Sequence, residues 1–269
     1  ESPELARREL QLAKEAGFNL IRMHIKTPPQ ITLDICDEIG LLVYEEPPIG
    51  WIQQSAWMRE RCENEVREMV LRDRNHPSVV MWGMLNESGN AHYIVHGGAQ
   101  VIKDELGLLA RSLDPSRIII DDSGGTNTTR EPARMMMPGQ KEWTPYDDLH
   151  IYLRAPVDAE IEAYYRNSGE PDQLFFLSEF GFGGMEDLAD IVNQFGDSRD
   201  ECKDARFLQQ MLERAMQGFS ERGLDRVFND VAGFTAAARE LQADGILRQV
   251  DACRSNTKMA GYCYTQLCD

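Results

Sequence analysis

The hydrophobic pattern along the chain switches repeatedly between helical and strand spacing. Residues 4–16 (ELARRELQLAKEA) carry Leu5, Leu12, Ala13 and Ala16 on one face of a predicted helix, and Gly17 suits the turn that ends it. A strand follows over 19–24 (NLIRMH), Pro28-Pro29 breaks the chain, and Ile31 to Ile39 predicts a second amphipathic helix that stops at Gly40. Leu41-Leu42-Val43-Tyr44 reads as the next strand and runs into Glu45-Glu46-Pro47-Pro48. The unit recurs as a helix over about 56–73, a strand over 79–85 (VVMWGML), a helix over 99–113 and strands over 118–121 and 149–153. A helix over 157–167, a strand over 174–178 (LFFLS), a long helical stretch and a strand over 260–265 complete it.

Near-continuous apolar strands alternating with helices predict an α/β fold whose parallel sheet is covered on both sides. No glycine-rich phosphate loop follows any strand, which favours a (β/α)8 TIM barrel over a doubly wound open sheet. The 269 residues suit one such domain, since a barrel takes roughly 250. Seven strands with a helix first place the opening barrel strand before residue 1 and the last helix after Asp269. Residues 185–258 are too long for a loop and carry helical patterns, so they read as a helical insertion between strands seven and eight of the barrel.

Composition then narrows the function. A formal charge of −17, without a basic stripe, argues against a nucleic-acid partner, and no apolar run is long enough to cross a bilayer. Cys36, Cys62, Cys202, Cys253, Cys263 and Cys268 include no C-x-x-C pair and no zinc spacing. They read as thiols in a reducing compartment, which favours the cytoplasm, and neither metal nor cofactor is expected. The chain opens Glu1-Ser2-Pro3 without Met or a targeting segment, so it reads as a piece of something longer.

In a parallel barrel every strand's C-terminal end opens on one face. This chain puts Arg22 and His24, Glu45 and Glu46, Asn86 and Glu87, Asp121 and Asp122, His150 and Tyr152, and Glu179 at those ends. Glycosidic bond cleavage needs two flanking carboxyl groups, and Glu87 and Glu179, with two strands between theirs, are placed to face each other across the mouth. Arg22 is the expected counter-charge that lowers the Glu179 carboxyl. Glu45 is expected to point away from Glu46, because successive strand residues alternate faces. Trp51 and Trp143 fall in predicted loops where a ring could stack on a sugar, and Trp82 in mid-strand reads as core.

The motifs are specific. Arg74-Asn75-His76-Pro77-Ser78-Val79-Val80-Met81-Trp82-Gly83-Met84-Leu85-Asn86-Glu87 resembles the acid/base strand of glycoside hydrolase family two, and Phe176-Leu177-Ser178-Glu179-Phe180-Gly181 resembles its nucleophile strand. Gly261-Tyr262-Cys263-Tyr264-Thr265-Gln266-Leu267 is similar to its closing strand, and the segments around Arg22 and Glu46 also match. The resemblance implies a β-glycosidase acting on a carbohydrate by a retaining mechanism, with Glu87 as acid/base and Glu179 as nucleophile. It implies that Tyr152 hydrogen-bonds the nucleophile, and that Arg22, His24, Glu46, Asn86, His150, Tyr152 and Tyr264 hold the substrate or brace the site. Tyr264 stands where many relatives carry Trp. The family's β-sandwich domains are expected as partners within a longer parent chain.

Three other readings stay open. One is an endo-glycanase barrel of a related family, and one is a catalytically silent carbohydrate-binding barrel. The third is a metal-dependent hydrolase using Asp121, Asp122 and His150.

Overall fold

Local capping sets the first helix. Ser2 Oγ accepts from the Leu5 amide at 3.2 Å, Pro3 occupies the first turn, and α1 runs Pro3–Glu15. The computed structural model describes residues 2–50, 52–88, 98–125, 132–196 and 201–267. After β1 (Leu20–Met23), α2 (Gln30–Ile39) ends on Gly40 at φ 69°, a left-handed turn that glycine adopts without penalty. The chain continues through β2 (Leu42–Glu45), α3 (Met58–Asp73), β3 (Val79–Asn86), α4 (Lys103–Leu113) and β4 (Ile118–Ser123). Then come β5 (Ala133–Met136), β6 (Thr144–Ile151), α5 (Ala159–Asn167), β7 (Phe175–Phe180), α6 (Leu188–Gln194), α7 (Lys203–Glu221), α8 (Val231–Arg254) and β8 (Met259–Tyr264).

The eight strands lie in sequence order, with β1 and β8 at the two ends. All seven anticipated strands are present and pair in parallel with their neighbours, except around β5, which pairs antiparallel with both β4 and β6. The fully parallel sheet expected from the pattern is therefore corrected, and three strands rather than two lie between β3 and β7. β5 escaped notice because its four residues, ARMM, have no β-branched member. β6 starts at Thr144, ahead of the expected 149, because Asp147 and Asp148 are buried although their polarity reads as loop.

The chain divides into two compact units, the first comprising Glu1–Tyr152, Asn167–Gly181 and Cys253–Asp269 and the second Leu153–Arg166 and Phe182–Ala252. In the first unit, alternation along the strands separates two cores. Val43, Val79, Trp82 and Met84 pack in one buried cluster with Leu33 and Cys36 of α2, Val66 and Val70 of α3 and Leu106 of α4. Tyr44, Ile120 and Tyr146 pack in another with Met81 and Phe176. Trp82 is fully buried, as expected, and its Nε1 donates to Asp114 Oδ2 at 2.9 Å. The second unit is helical: Gln249 Nε2 on α8 donates to the Tyr165 hydroxyl on α5 at 3.2 Å, and Phe234 stacks edge-on against Phe228 with centroids 5.2 Å apart.

Gly83 in β3 leaves the space that Tyr44 and Glu46 fill, since a Cβ there would lie 2.7 Å from Tyr44 Cε2 and 2.9 Å from Glu46 Cγ. Gly83→Ala is expected to cost about 1–3 kcal/mol, the usual range for overpacking. Urea unfolding would check it, with an unchanged midpoint counting against the close fit.

Candidate active site

Arg22, at the C-terminal half of β1, is the hub of the strand ends. Its Nε donates to Glu46 Oε1 at 2.7 Å, Nη1 to Glu179 Oε1 at 2.7 Å and to the Ser178 carbonyl at 3.3 Å, and Nη2 to Asn86 Oδ1 at 2.6 Å. The guanidinium also lies 5.5 Å from the centre of the Tyr44 ring. β1, β2, β3 and β7 thus converge on one buried cation.

Glu179 is held from several sides. Tyr152 donates its hydroxyl to Oε2 at 2.6 Å, His150 Nδ1 lies 3.5 Å from the same oxygen, and His24 Nε2 lies 3.7 Å from Oε1. Burial pushes the carboxyl up, yet His150, Arg22 and the hydrogen bonds from Tyr152 and Arg22 outweigh it and leave Glu179 below the ordinary carboxylate value. Burial and the acceptor Glu179 push the Tyr152 phenol up, so it remains a donor. Burial and Arg22 lower the His24 imidazole, which favours its neutral form.

Glu87 immediately follows β3 in the left-handed region, at φ 48°, where a residue with a Cβ is uncommon. Its Oε1 lies 2.7 Å from His150 Nδ1. Glu87, His150 and Glu179 therefore form a group whose ligand atoms all lie within 4.8 Å of one another. That spacing would also suit a metal, although the guanidinium 2.7 Å from Glu179 already supplies positive charge there.

Consecutive residues Ser178 and Glu179 both reach this group, which plain alternation forbids. β7 resolves the conflict with a bulge. Asp148 and His150 of β6 pair with Phe176 and Glu179, and Leu177 and Phe180 pair with Tyr262 and Tyr264 of β8, so β7 carries one extra residue relative to both neighbours.

Of the residues singled out by sequence, Arg22, His24, Glu46, Asn86, Glu87, His150, Tyr152 and Glu179 are brought together. Tyr264, at the end of β8, lines with Arg22, His24, Tyr152 and Glu179 a cavity of about 420 Å³. Of the two readings left open for Glu46, its placement favours the brace: it is 2% exposed, and its oxygens accept from Arg22 and from the Ile25 amide at 2.8 Å. Glu45 points away as expected, and burial and nearby Asp73 push its carboxyl up to about 9. Asp121 pairs with Arg134 at 2.8 Å, whereas Asp122 accepts from the Ser88 hydroxyl at 2.7 Å. Asp121, Asp122 and His150 accordingly do not gather as the metal reading required. Trp143 packs over Gly107 of α4 and under Arg134, 5.2 Å from its ring, which removes it as a stacking platform. Trp51 and Cys268 lie outside the described residues, and the other five cysteines are free thiols.

Sequence reasoning missed Asp148 and Ser178, which lie beneath His150. Ser178 Oγ lies 2.9 Å from His150 Nε2 and donates to Asp148 Oδ1. The signal was the polar pair Asp147-Asp148 inside a buried strand.

Residues 2–246 match the family model described as glycosyl hydrolases family 2, TIM barrel domain. A β-galactosidase of Thermoanaerobacter pseudethanolicus is 39% identical over 127 residues, 46% of this chain and 15% of that protein. The crystal structure of a β-D-mannosidase from Dictyoglomus thermophilum aligns with a TM-score of 0.67 at 20% identity, over 99% of this chain and 33% of its own. That of a family 2 β-galacturonidase from Eisenbergiella tayi bound to galacturonate aligns at 0.61 and 20%, over 99% of this chain and 40% of its own. Both structural likenesses bear on the fold. The chain spans less than half the length of each of these three proteins.

Removing the hub should be costly. Arg22→Met leaves Glu46 and Glu179 buried without their cation, and a loss of about 3–5 kcal/mol in urea unfolding is expected. Glu179 also sets a pH dependence. Its folded value lies below its unfolded one, so its stabilisation is present above the unfolded carboxylate range and is lost as pH falls through the lowered folded value. Unfolding midpoints measured against pH should show this acid loss in the unaltered protein and less of it in Glu179→Gln.

Proposed function

The chain belongs to glycosyl hydrolases family 2 through its TIM barrel domain, and from that premise we propose that it is the catalytic domain of a retaining β-glycosidase. Glu179 is the nucleophile and Glu87 the general acid/base. The observation that carries this reading is the approach of Glu87, His150 and Glu179 within 4.8 Å of one another at the strand ends. Retaining enzymes hold their carboxyl groups about 5–5.5 Å apart, and inverting enzymes need about 6.5–9.5 Å to admit a water.

In the first step a Glu179 oxygen bonds to the anomeric carbon as the glycosidic C–O bond breaks. The electron pair of that bond goes to the leaving oxygen, which takes the proton of Glu87. In the second step water attacks the glycosyl ester, Glu87 takes the water's proton, and the Glu179 carboxylate leaves. Arg22 and Tyr152 support this role by stabilising the ionised nucleophile. With its Oδ1 held by Arg22, Asn86 has its amide Nδ2 to donate to the sugar 2-hydroxyl, a contact that strengthens in the transition state. His24 and Tyr152, about half exposed, and Tyr264 present polar groups to the sugar.

The substrate class is a β-linked carbohydrate, in keeping with relatives named β-galactosidase and β-D-mannosidase. The β-sandwich domains of a longer parent chain are its proposed partners. Glu179→Ala in the full-length protein should abolish hydrolysis of nitrophenyl β-glycosides, and undiminished turnover would reject the nucleophile. Glu87→Ala should slow substrates with poor leaving groups far more than activated ones. Equal losses would reject its acid role.

A further inference from the structure

A buried hydrogen-bonded chain runs from Glu87 into the interior and is not used by the chemistry above. Tyr146, Asp148, His150 and Tyr152 alternate along β6 and its end, so they share its inward face. The Tyr146 hydroxyl donates to Asp148 Oδ2 at 2.6 Å, and Ser178 Oγ donates to Asp148 Oδ1. Ser178 Oγ lies 2.9 Å from His150 Nε2 and accepts from Ser123 Oγ at 3.0 Å. Asp148 and Ser178 are fully buried, and the His150 side chain is 2% exposed. Gly124 leaves room for the ring, because a Cβ there would lie 2.6 Å from both Cε1 and Nδ1 of His150.

Counting hydrogens along this chain places one of them on the ring. A serine hydroxyl has one hydrogen to give, and Ser178 gives it to Asp148. Toward His150 it can then only accept, so Nε2 carries a hydrogen. Nδ1 faces Glu87 Oε1 at 2.7 Å, a separation that needs one hydrogen between them. Either Glu87 is a carboxylic acid donating to a bare Nδ1, or a cationic ring donates to the carboxylate. In both cases one proton sits on the same line.

We propose that Asp148 and Ser178 are positioning residues which, by holding hydrogen on Nε2 of His150, keep a single transferable proton between His150 Nδ1 and Glu87 Oε1. The inference rests on the reading of Glu87 as acid/base. Without the Asp148 carboxylate, Ser178 is free to turn its hydrogen toward Nε2. A neutral ring with hydrogen on Nδ1 then donates to the Glu87 carboxylate, and the line loses its transferable proton at a lower pH. Asp148 is faced by Tyr146 and His150 of β6, Ser178 of β7, Tyr44 of β2, Arg22 of β1 and Cys263 of β8. Burial raises its carboxyl, and His150, the two hydrogen bonds and Arg22 oppose that.

The test uses the full-length protein and three variants, Asp148→Asn, Ser178→Ala and Ser178→Thr, with kcat/KM profiled against pH on an activated and on a poor-leaving-group aryl β-glycoside. Expected for Asp148→Asn and Ser178→Ala is an alkaline limb moved down by about one pH unit and a loss at least about tenfold greater on the poor leaving group, within the range of general acid catalysis. Ser178→Thr keeps the hydroxyl and should restore the profile. Equal losses on both substrates with an unmoved alkaline limb would mean a structural role and overturn the proposal. Glu87→Gln serves as the separating control. If it shows the leaving-group dependence and the Asp148 and Ser178 variants do not, the positioning inference alone fails. If Glu87→Gln also lacks it, the acid/base reading fails. A variant that does not fold is replaced by its partner, since Ser178→Ala removes the donor of the Ser178–Asp148 bond and Asp148→Asn replaces its charged acceptor with an amide that can turn an N–H toward Ser178.

Discussion

One buried guanidinium organises the mouth of this barrel. Arg22 spends its donors on Glu46, Glu179, the Ser178 carbonyl and Asn86, and so ties the ends of β1, β2, β3 and β7 to a common point. A cation this far from water is tolerated only when its hydrogens are matched in direction as well as charge, and the planar fork of arginine supplies that match where a lysine could not. Two carboxylates against one guanidinium leave an excess negative charge. The Tyr152 hydroxyl offsets that excess with a hydrogen bond to Glu179, and His150 Nδ1 lies 3.5 Å from the same carboxylate oxygen. The electrostatics of Glu179 therefore follow from packing rather than from any freely solvated charge.

The fold was largely legible because a barrel repeats one unit, and repetition lets weak local signals reinforce each other. Each anticipated strand carried its own apolar run, and Gly40 marked a turn that the backbone does make. What escaped notice had a local reason. β5 is four residues of unbranched side chains, and it pairs antiparallel in a place where the pattern predicted only parallel neighbours.

The candidate site was legible as a set of residues and less so as a set of roles. Arg22, Glu87, Tyr152 and Glu179 lie at or just past the ends of β1, β3, β6 and β7. Glu46 reads from sequence as either a substrate contact or a brace, and only the fold shows that both its oxygens are taken. Asp148 and Ser178 stayed hidden because polarity inside a strand looks like a loop, and because a serine next to a glutamate should face the other way. The chemistry beneath the surface of the site was therefore invisible, whereas the chemistry at its rim was not.

The extra residue in β7 makes the site sensitive to reading frame along the strand as well as to residue identity. With the bulge, neighbours in sequence become neighbours in the cavity, and one strand furnishes both the Glu179 carboxylate and the Ser178 hydroxyl beneath the imidazole that faces Glu87. Shortening β7 by one residue would return it to strict two-sided order and send one of the two toward the helices. A one-residue deletion there would thus disconnect the two halves of the constellation while leaving every side chain of that constellation chemically intact.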